Sequence, residues 1–370
     1  MASPAPIDSP RADADAARAP SVWVLLGKGT GGNGQMLSLA QALGWPFESK
    51  KLVHNPLNVV PNLLLGASKA TVDSRRSSPL QAPWPDLVIG ASRRSAPVAL
   101  WIRKQSGGRT RLVHLLHAQT PLEQFDLIIT LPQYRLPDRP NVLHNTGPLN
   151  LIDPASLDSA RSQWVGRLAE LPRPYTALIV GGNSSSYVLD PATAARLGRE
   201  ASERAAGGSL LVTTSPRTPP ESTDALFAAV DGPSHLYRWK RDDPDNPYKG
   251  FLALADRFIV TVDSASLAIE ACATGRPVEV FEWPRKGAPT SGHDDDGLGA
   301  RAYERLLYLG LVKPPRDFDA FHRALRERGL TTRLGDRSEP PPRRPLDDLE
   351  QAVARIRQLF PADSIPGRDH

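Results

Sequence analysis

The residues best suited to chemistry lie in one segment of the second half of the chain, NPYKGFLALADRFIVTVDSASLAIEACATGRPVEVFE, from Asn246 to Glu282. Its pattern predicts a short helix, a buried strand ending at Val262, a serine-rich turn and a second helix that carries Glu270. A small-residue turn that opens a helix offers backbone N–H groups to an anion. A carboxylate one or two turns into that helix can reach the hydroxyls of an attached ribose. The segment therefore predicts a nucleoside-diphosphate site, although Glu270 could instead be a solvated helix charge.

Two further loops of small residues follow predicted strands. The loop GGNSSSY, from Gly181 to Tyr187, combines two glycines, an amide and three hydroxyls. The loop GKGTGGNGQ, from Gly27 to Gln35, lets backbone approach a ligand closely. It lacks the GK[ST] ending of a Walker loop, and Lys50 and Lys51 stand where a dinucleotide fingerprint needs an acid. The alternatives are a tight packing turn for the Gly27 loop and a capped helix start or a flexible loop for the Gly181 loop.

Charged and titratable side chains supply the remaining candidates. Arg93 and Arg94 could hold a phosphate or an acidic acceptor through paired hydrogen bonds, or be ordinary surface arginines. His117 is the candidate general base, with a satisfied core histidine as the alternative. The acidic loop His293–Gly297 has no complementary histidine spacing, so no metal site is predicted. The single cysteine, Cys272, is predicted to be a small buried hydrophobe.

The elements that must position these residues alternate between strand and helix in two rounds. The first round has strands at 21–27, 85–90, 111–116 and 125–130 and helices at 35–43 and 96–105. After a helix at 156–171, the second round begins near residue 172, with strands at 176–181, 209–214, 235–239, 257–262 and 277–281. Such alternation predicts parallel sheets with crossover helices. The predicted fold class is therefore α/β with two Rossmann-like domains.

Length and charge limit the domain organisation and the partners. The 370 residues suit two domains, and we predict a disordered tail at 1–20, an N-terminal domain at 21–171, a C-terminal domain at 172–328, and an Arg/Pro-rich segment with a C-terminal helix at 329–370. The net charge of +5 suits anionic ligands or an anionic membrane surface, and no nucleic-acid-binding signature is present. Without an apolar run near the ~18 residues of a membrane span, or a secretory signal, we expect a cytoplasmic location, with peripheral contact at the inner face of the membrane left open.

In combination these segments resemble the mitochondrial fission ELM family, a group of predicted glycosyltransferases of bacteria and plants. The resemblance covers roughly residues 21–310, and its clearest parts, besides the segment from Asn246, are PDLVIGASRRSAPVAL, GGRTRLV, FDLII, PNVLHNTGPLN, ALIVGGNSSSY and LLVTTSPRTP. More distantly, GTGGN, the GGNS loop and the Glu270 helix look like the peptidoglycan lipid-linked GlcNAc transferases, which have the GT-B fold. Asn33 stands where those transferases have histidine.

The resemblance implies the GT-B arrangement, in which two Rossmann-like domains face each other across a cleft. It implies a nucleoside-diphosphate sugar bound mainly by the C-terminal half, and we expect no tightly bound cofactor. The donor-binding residues would be Gly181, Gly182, Asn183, Ser184, Ser185, Ser264 and Ser266 at the diphosphate and Glu270 at the ribose. We place the acceptor side at the first glycine-rich loop and the two arginines, with Gly29, Thr30, Gly31, Gly32, Asn33, Gln35, Arg93 and Arg94.

We therefore predict a metal-independent GT-B glycosyltransferase that moves a sugar to an unknown acceptor, either lipid-linked or carbohydrate, with His117 activating the acceptor hydroxyl. Backbone N–H groups, hydroxyls and a helix N-terminus would stabilise the diphosphate leaving group in place of a divalent cation. Two alternatives remain open. One is a GT-B nucleoside-diphosphate-sugar epimerase, which needs no separate acceptor, and the other is a non-enzymatic adaptor at a membrane surface.

Overall fold

The computed structural model describes residues 19–149, 154–286, 298–314, 316–336 and 341–361. Most of the predicted N-terminal tail and the acidic loop at 293–297 lie outside these ranges. The described residues contain two six-stranded sheets, and every pair of neighbouring strands is parallel. The predicted fold class, α/β with two Rossmann-like domains, is confirmed, while the domain boundaries stay a prediction.

The strands are short and mostly apolar, because parallel strands are buried on both faces by the crossover helices. The first sheet contains β1 Val22–Leu26, β2 Phe47–Lys51, β3 Leu87–Ala91, β4 Arg111–Leu115, β5 Leu127–Thr130 and β6 Val142–His144. The second sheet contains β7 Tyr175–Ile179, β8 Ser209–Thr213, β9 Ser234–Tyr237, β10 Arg257–Thr261, β11 Val278–Phe281 and β12 Thr332–Arg333.

Helices connect the strands of each sheet. Those before β7 are α1 Thr30–Leu43, α2 Asn62–Leu65, α3 Ser92–Gln105 and α4 Pro154–Trp164. Those after β7 are α5 Pro191–Arg204, α6 Pro220–Ala228, α7 Tyr248–Leu254, α8 Ala265–Ala273, α9 Leu298–Tyr308, α10 Phe318–Glu327 and α11 Asp348–Arg357. No described helix is both long enough and apolar enough to cross a membrane.

The strand order defines one switch point in each sheet. The first sheet has the order β2-β1-β3-β4-β5-β6, so β2 and β3 lie on opposite sides of β1. The switch point of this sheet therefore lies between β1 and β3. The second runs β12-β11-β10-β7-β8-β9, so the corresponding change of direction lies between β7 and β10. In open α/β sheets ligands bind outside the carboxyl ends of the strands at such points. Both glycine-rich loops predicted from the sequence begin at these positions.

The carboxyl edges of the two sheets face each other. Gly147, after β6, lies so close to Ile269 of α8 that a Cβ at residue 147 would be 2.2 Å from the isoleucine Cδ1. The carbonyl of Gln133, after β5, accepts a 2.9 Å hydrogen bond from the backbone N–H of Asp317. Arg135 forms a salt bridge with the same aspartate. The loops that could bind ligands in the two halves therefore open toward a shared space.

The last helix returns to the first sheet after the chain has completed the second. Ala352 and Ile356 of α11 are fully buried in the cluster that includes Met36 and Leu39 of α1. Asp348, in the first turn of α11, accepts the backbone N–H groups of Thr146 and Gly147, both at 2.9 Å. This pair of bonds joins the C-terminal helix to the loop after β6.

Some elements differ from the prediction. Helices α1 and α3 begin five and four residues earlier than predicted, at Thr30 and Ser92 (35 − 30 and 96 − 92). The short strand β12 lies in the Arg/Pro-rich segment, where no regular structure was expected. Cys272 is buried, as predicted, and burial raises the pKa of its thiol to about 12. The early helix starts matter most, because they change the conformation of the predicted acceptor-side loops.

Replacing Asp348 by Ala should destabilise the protein by about 2–4 kcal/mol, because two buried backbone N–H groups lose their acceptor. The matched control is Glu350→Ala, since Glu350 is an exposed acid in the same first helical turn. It controls for the loss of a helix-dipole interaction and should change stability by less than about 1 kcal/mol. Urea unfolding of each variant measures its free energy of unfolding against that of the wild type. Equal destabilisation would mean that the two bonds of Asp348 do not hold α11 in place.

Candidate functional site

Three loops follow the adjacent strands β10, β7 and β8 of the second sheet and meet at its carboxyl edge. Asp263 comes from the first loop, Gly181 and Gly182 from the second, and Arg217 from the third. Asp263 and Arg217 were not singled out from the sequence. Their only signal there was a polar residue shortly after a predicted strand, which many turns share.

Asp263 is a buried carboxylate in an ion pair. Its Oδ2 lies 2.7 Å from Nη1 of Arg217 and accepts the N–H of Gly182 at 3.0 Å. Its Oδ1 is buried and has no hydrogen-bond partner among the described residues. Burial raises the pKa of the Asp263 carboxyl, and Arg217 acts in the opposite direction. A Cβ at residue 181 would lie 2.3 Å from Oδ2, so the carboxylate explains why this position is glycine.

The Arg217 loop and the Gly181 loop are joined backbone to backbone. Gly182 has φ of +130°, and a Cβ there would lie 2.3 Å from the carbonyl oxygen of Arg217. The same carbonyl accepts the N–H of Asn183 at 2.8 Å. Nη1 of Arg217 also donates to the Asn183 carbonyl at 3.2 Å. Among the described residues, Nε and Nη2 of Arg217 have no partner, so the guanidinium presents unused donors beside the glycine turn.

The predicted donor residues of the Gly181 loop divide into two groups. Asn183 and Ser184 use their side chains to shape the loop, because Asn183 Oδ1 accepts the N–H of Leu189 at 2.9 Å and Ser184 Oγ accepts that of Tyr187 at 3.1 Å. Ser185 is exposed. A ligand in this loop would therefore contact its backbone and Ser185 more readily than the two internally bonded side chains.

The turn and helix after β10 have the predicted form. Ser264 is the N-cap residue of α8 and makes no side-chain capping bond, and Ser266 is the second residue of the helix. Glu270 lies farther along α8 and accepts a short hydrogen bond from the Tyr248 hydroxyl. Burial and the Glu270 carboxylate raise the pKa of Tyr248 well above its ordinary value. Tyr248 therefore stays protonated and donates its hydroxyl hydrogen to Glu270.

At the switch point of the first sheet, the loops after β1 and β3 line a cavity of about 300 Å³. The cavity brings together five of the predicted acceptor-side residues, Gly29, Gly32, Asn33, Arg93 and Arg94. Lys28 and His54 also line it, and neither was predicted. Arg94 contributes to lowering the pKa of His54, after the larger effect of burial. The cavity is therefore cationic and suits an anionic group.

The prediction that residues 30–34 form a loop was wrong, because they are the first residues of α1, which was predicted to begin at Gln35. Asn33 stabilises this early start: its amide accepts the Gly27 N–H at 3.0 Å and donates to the Gly27 carbonyl at 2.8 Å. Gln35 does not line the cavity, since it is buried and its Oε1 accepts the Leu149 N–H at 3.2 Å. Gly31 has open space where a Cβ would lie, so packing does not require glycine there.

The two arginines are not part of a loop either, because α3 begins at Ser92. Ser92 has φ of +65°, a conformation that costs a non-glycine residue energy and often occurs at functional sites. Arg93 donates to the carbonyls of Asn58 and Val60, so its guanidinium is already engaged. Arg94 is exposed and is the better placed of the two to contact an anion.

His117 lies in the loop after β4, outside the residues that line the cavity. Its Nδ1 accepts the Gln119 N–H at 3.1 Å, and its Nε2 is buried with no partner among the described residues. Burial lowers the pKa of His117 to about 4. The imidazole is therefore neutral at pH 7 and can accept a proton, but it is a weak base.

Comparison with known sequences gives a consistent result. Residues 30–294 match the family model described as mitochondrial fission ELM1. The mitochondrial fission protein ELM1 of Arabidopsis thaliana is 29% identical over 304 residues, which are 75% of this chain and 64% of that protein. An uncharacterized protein of Rickettsia prowazekii is 26% identical over 301 residues, 71% of this chain and 84% of its own length. The chain thus spans less than two thirds of the Arabidopsis relative.

Solved structures of low sequence identity also align with the chain. MurG of Acinetobacter baumannii aligns with a TM-score of 0.42 and 16% identity, over 93% of this chain and 92% of its own. A UDP-GlcNAc 2-epimerase of Neisseria meningitidis, solved with UDP-GlcNAc bound, aligns with a TM-score of 0.44 and 12% identity, over 82% of this chain and 98% of its own.

The buried His117 predicts acid sensitivity. Its pKa is about 4 in the folded protein and 6.5 for the free side chain, so between these values the unfolded chain binds a proton that the folded protein does not. Stability is therefore lost as pH falls through this window, by about 2 kcal/mol between pH 7 and pH 5. The His117→Asn variant should lack this contribution. Urea unfolding of wild type and variant at pH 7 and pH 5 measures this difference in stability. An equal loss of stability in the two proteins would show that His117 does not cause the acid sensitivity.

Proposed function

The chain belongs to the mitochondrial fission ELM1 family, and we propose that it is a glycosyltransferase that moves a sugar from a nucleoside-diphosphate sugar to an acceptor bound by the opposite half. The observation that carries the proposal is the pair of facing switch points, one with a cationic cavity and the other with a glycine turn beside an arginine. A single-substrate binder needs only one such edge, whereas transfer needs two ligands brought together.

The donor belongs on the second sheet. Its diphosphate would lie against the backbone of the Gly181 loop and the N-terminus of α8, where Ser264 leaves the first N–H groups free of a side-chain cap. The unpaired donors of Arg217 add a cation, which suits a phosphate oxygen because guanidinium binds it through paired hydrogen bonds. Glu270, which the Tyr248 hydroxyl contacts on α8, would accept a hydrogen bond from a ribose hydroxyl. This donor set needs no metal ion and no tightly bound cofactor.

The reaction would proceed by attack of an acceptor hydroxyl on the anomeric carbon. The bond between that carbon and the phosphate oxygen breaks, and the nucleoside diphosphate leaves with the electron pair. Arg217 and the backbone N–H groups would stabilise the charge that develops on the leaving oxygen. The acceptor proton would go to a base of the first half. For His117 to be that base, Nδ1 must release the Gln119 N–H and take the proton, because an imidazole that accepts at Nδ1 carries its own proton on Nε2. A base with a pKa of about 4 promotes this proton transfer less than one with a pKa of about 7.

The acceptor belongs at the first switch point. The residues Gly31 and Gly34 of α1 have open space around the position of a Cβ, and Gly32 has only ordinary contacts there. Glycine inside a helix lowers its stability by up to about 1 kcal/mol relative to alanine, and packing at these positions does not require glycine. A ligand that approaches the helix backbone closely would explain the glycine at 32, which lines the cavity together with Arg94.

The donor site predicts the effect of Glu270→Ala. The wild type should be stabilised against heat by nucleoside diphosphates and their sugars, with or without magnesium. The variant should bind the best of them about 10- to 150-fold more weakly, because a hydrogen bond to a charged group is lost. Isothermal titration calorimetry measures the affinity, and Glu221→Ala, an exposed acid on α6, serves as the control. If no nucleoside diphosphate binds the wild type at millimolar concentration, the adaptor alternative takes precedence.

The acceptor site predicts a difference between Gly32→Ala and Gly34→Ala. Both changes add one methyl group to α1 without a clash, and both should raise stability by up to about 1 kcal/mol. Only the first places a methyl group in the cavity, so only it should slow transfer of radiolabelled sugar into a membrane lipid extract, by about tenfold or more. Donor affinity should be unchanged in both.

The same pair of variants separates transferase from epimerase. An epimerase uses the donor site alone, so neither change should affect its turnover. If Gly32→Ala transfers sugar as fast as wild type, the cavity is not the acceptor site.

A further inference from the structure

A cluster of large apolar side chains is exposed on the segment between β2 and β3. Leu57, Val59, Leu63 and Leu64 are between 53% and 78% exposed. Leu311, after α9, is 48% exposed and lies beside Leu63, since both line one shallow surface depression. We call this set of five side chains the apolar patch. Single exposed leucines are ordinary, but five large apolar side chains exposed on two short segments, which meet at Leu63 and Leu311, indicate a surface that another molecule covers.

The patch is held rigidly on the body of the protein. Asn62 is buried, and its Nδ2 donates to the carbonyls of Arg93 and Ala118 at 2.8 and 2.7 Å. Arg93 in turn donates to the carbonyls of Asn58 and Val60. These bonds use the Asn62 side chain and the backbone carbonyls of Asn58 and Val60, and the four apolar side chains of the segment remain exposed. The patch is therefore a fixed feature rather than a hydrophobic loop that fails to fold inward.

The two segments that carry the patch contain basic residues and no acidic ones. No Asp or Glu occurs between Glu48 and Asp73, or between Glu304 and Asp317. Lys313 lines the same depression as Leu63 and Leu311, and Arg94 follows the arginine that anchors the segment. An apolar surface bordered by cations is complementary to a bilayer that carries anionic headgroups, because apolar side chains enter the acyl boundary while cations stay at the headgroups.

We propose that the apolar patch inserts into the surface of an anionic lipid bilayer. The insertion would bring the cationic cavity close to the membrane, because Arg93 both lines that cavity and anchors the segment. If the proposed transferase activity is correct, the acceptor is then an amphiphile whose headgroup enters the cavity from the bilayer. The docking itself does not depend on that activity.

The test is binding of the purified full-length protein to vesicles of equimolar phosphatidylcholine and phosphatidylglycerol, measured by co-sedimentation. The double variant Val59→Ser, Leu64→Ser should bind about 10- to 100-fold more weakly, because two apolar side chains no longer leave water. The matched control is Val165→Ser, Val188→Ser, which changes two exposed valines outside the patch. Its binding should equal that of the wild type. Circular dichroism checks that both double variants are folded.

A charge variant adds an independent readout. Lys313→Gln should weaken binding to these vesicles about fivefold and leave any binding to pure phosphatidylcholine unchanged. Three results would overturn the proposal: no binding of the wild type, equal binding of both double variants, or loss of a dimer in the patch variant by light scattering, which would make a second copy of the chain the occupant. Vesicle binding that persists while no nucleoside diphosphate binds would support the docking and refute the transferase.

Discussion

The buried charge of Asp263 determines how the second half of the molecule presents its loops. A carboxylate removed from water without a partner would cost several kcal/mol, so it must be paired and hydrogen-bonded. Arg217 supplies the pairing and Gly182 supplies a backbone N–H. Because the three residues follow three adjacent strands, satisfying one carboxylate also fixes the relative positions of the three loops. The arginine is thereby held in place before any ligand arrives.

The two halves use glycine for different physical reasons. In the second half, Gly181 and Gly182 are required by contacts within the protein, with the carboxylate of Asp263 and the backbone of Arg217. In the first half, Gly31, Gly32 and Gly34 have no such neighbour, and they weaken the start of α1. The loops of the second half are therefore held in place by contacts within the protein. The start of α1 in the first half instead exposes its backbone next to a cationic cavity, as expected of a surface that accommodates a variable or bulky ligand.

The fold and the site were predictable from the sequence to different degrees. Buried parallel strands such as β1 and β7 are continuous apolar runs, so their alternation with helices gave the α/β class. The starts of α1 and α3 were missed because glycine and serine favour a turn locally, while the amide of Asn33 bonds to Gly27 at the start of α1 and Ser92 adopts a positive φ at the start of α3. Asp263 and Arg217 are 46 residues apart in the sequence (263 − 217), and only the strand order brings them together. No local pattern carries that information.

The return of α11 to the first sheet has a consequence for the order in which the protein is made. The first sheet ends at residue 144, but Ala352 and Ile356, which complete the core beside Met36 and Leu39, are synthesised about 200 residues later. During translation the side of α1 that packs against α11 therefore stays uncovered until almost the whole second half has been synthesised. The halves are separate sheets in space, yet the core of the N-terminal one is completed only when the C-terminal helix docks on it.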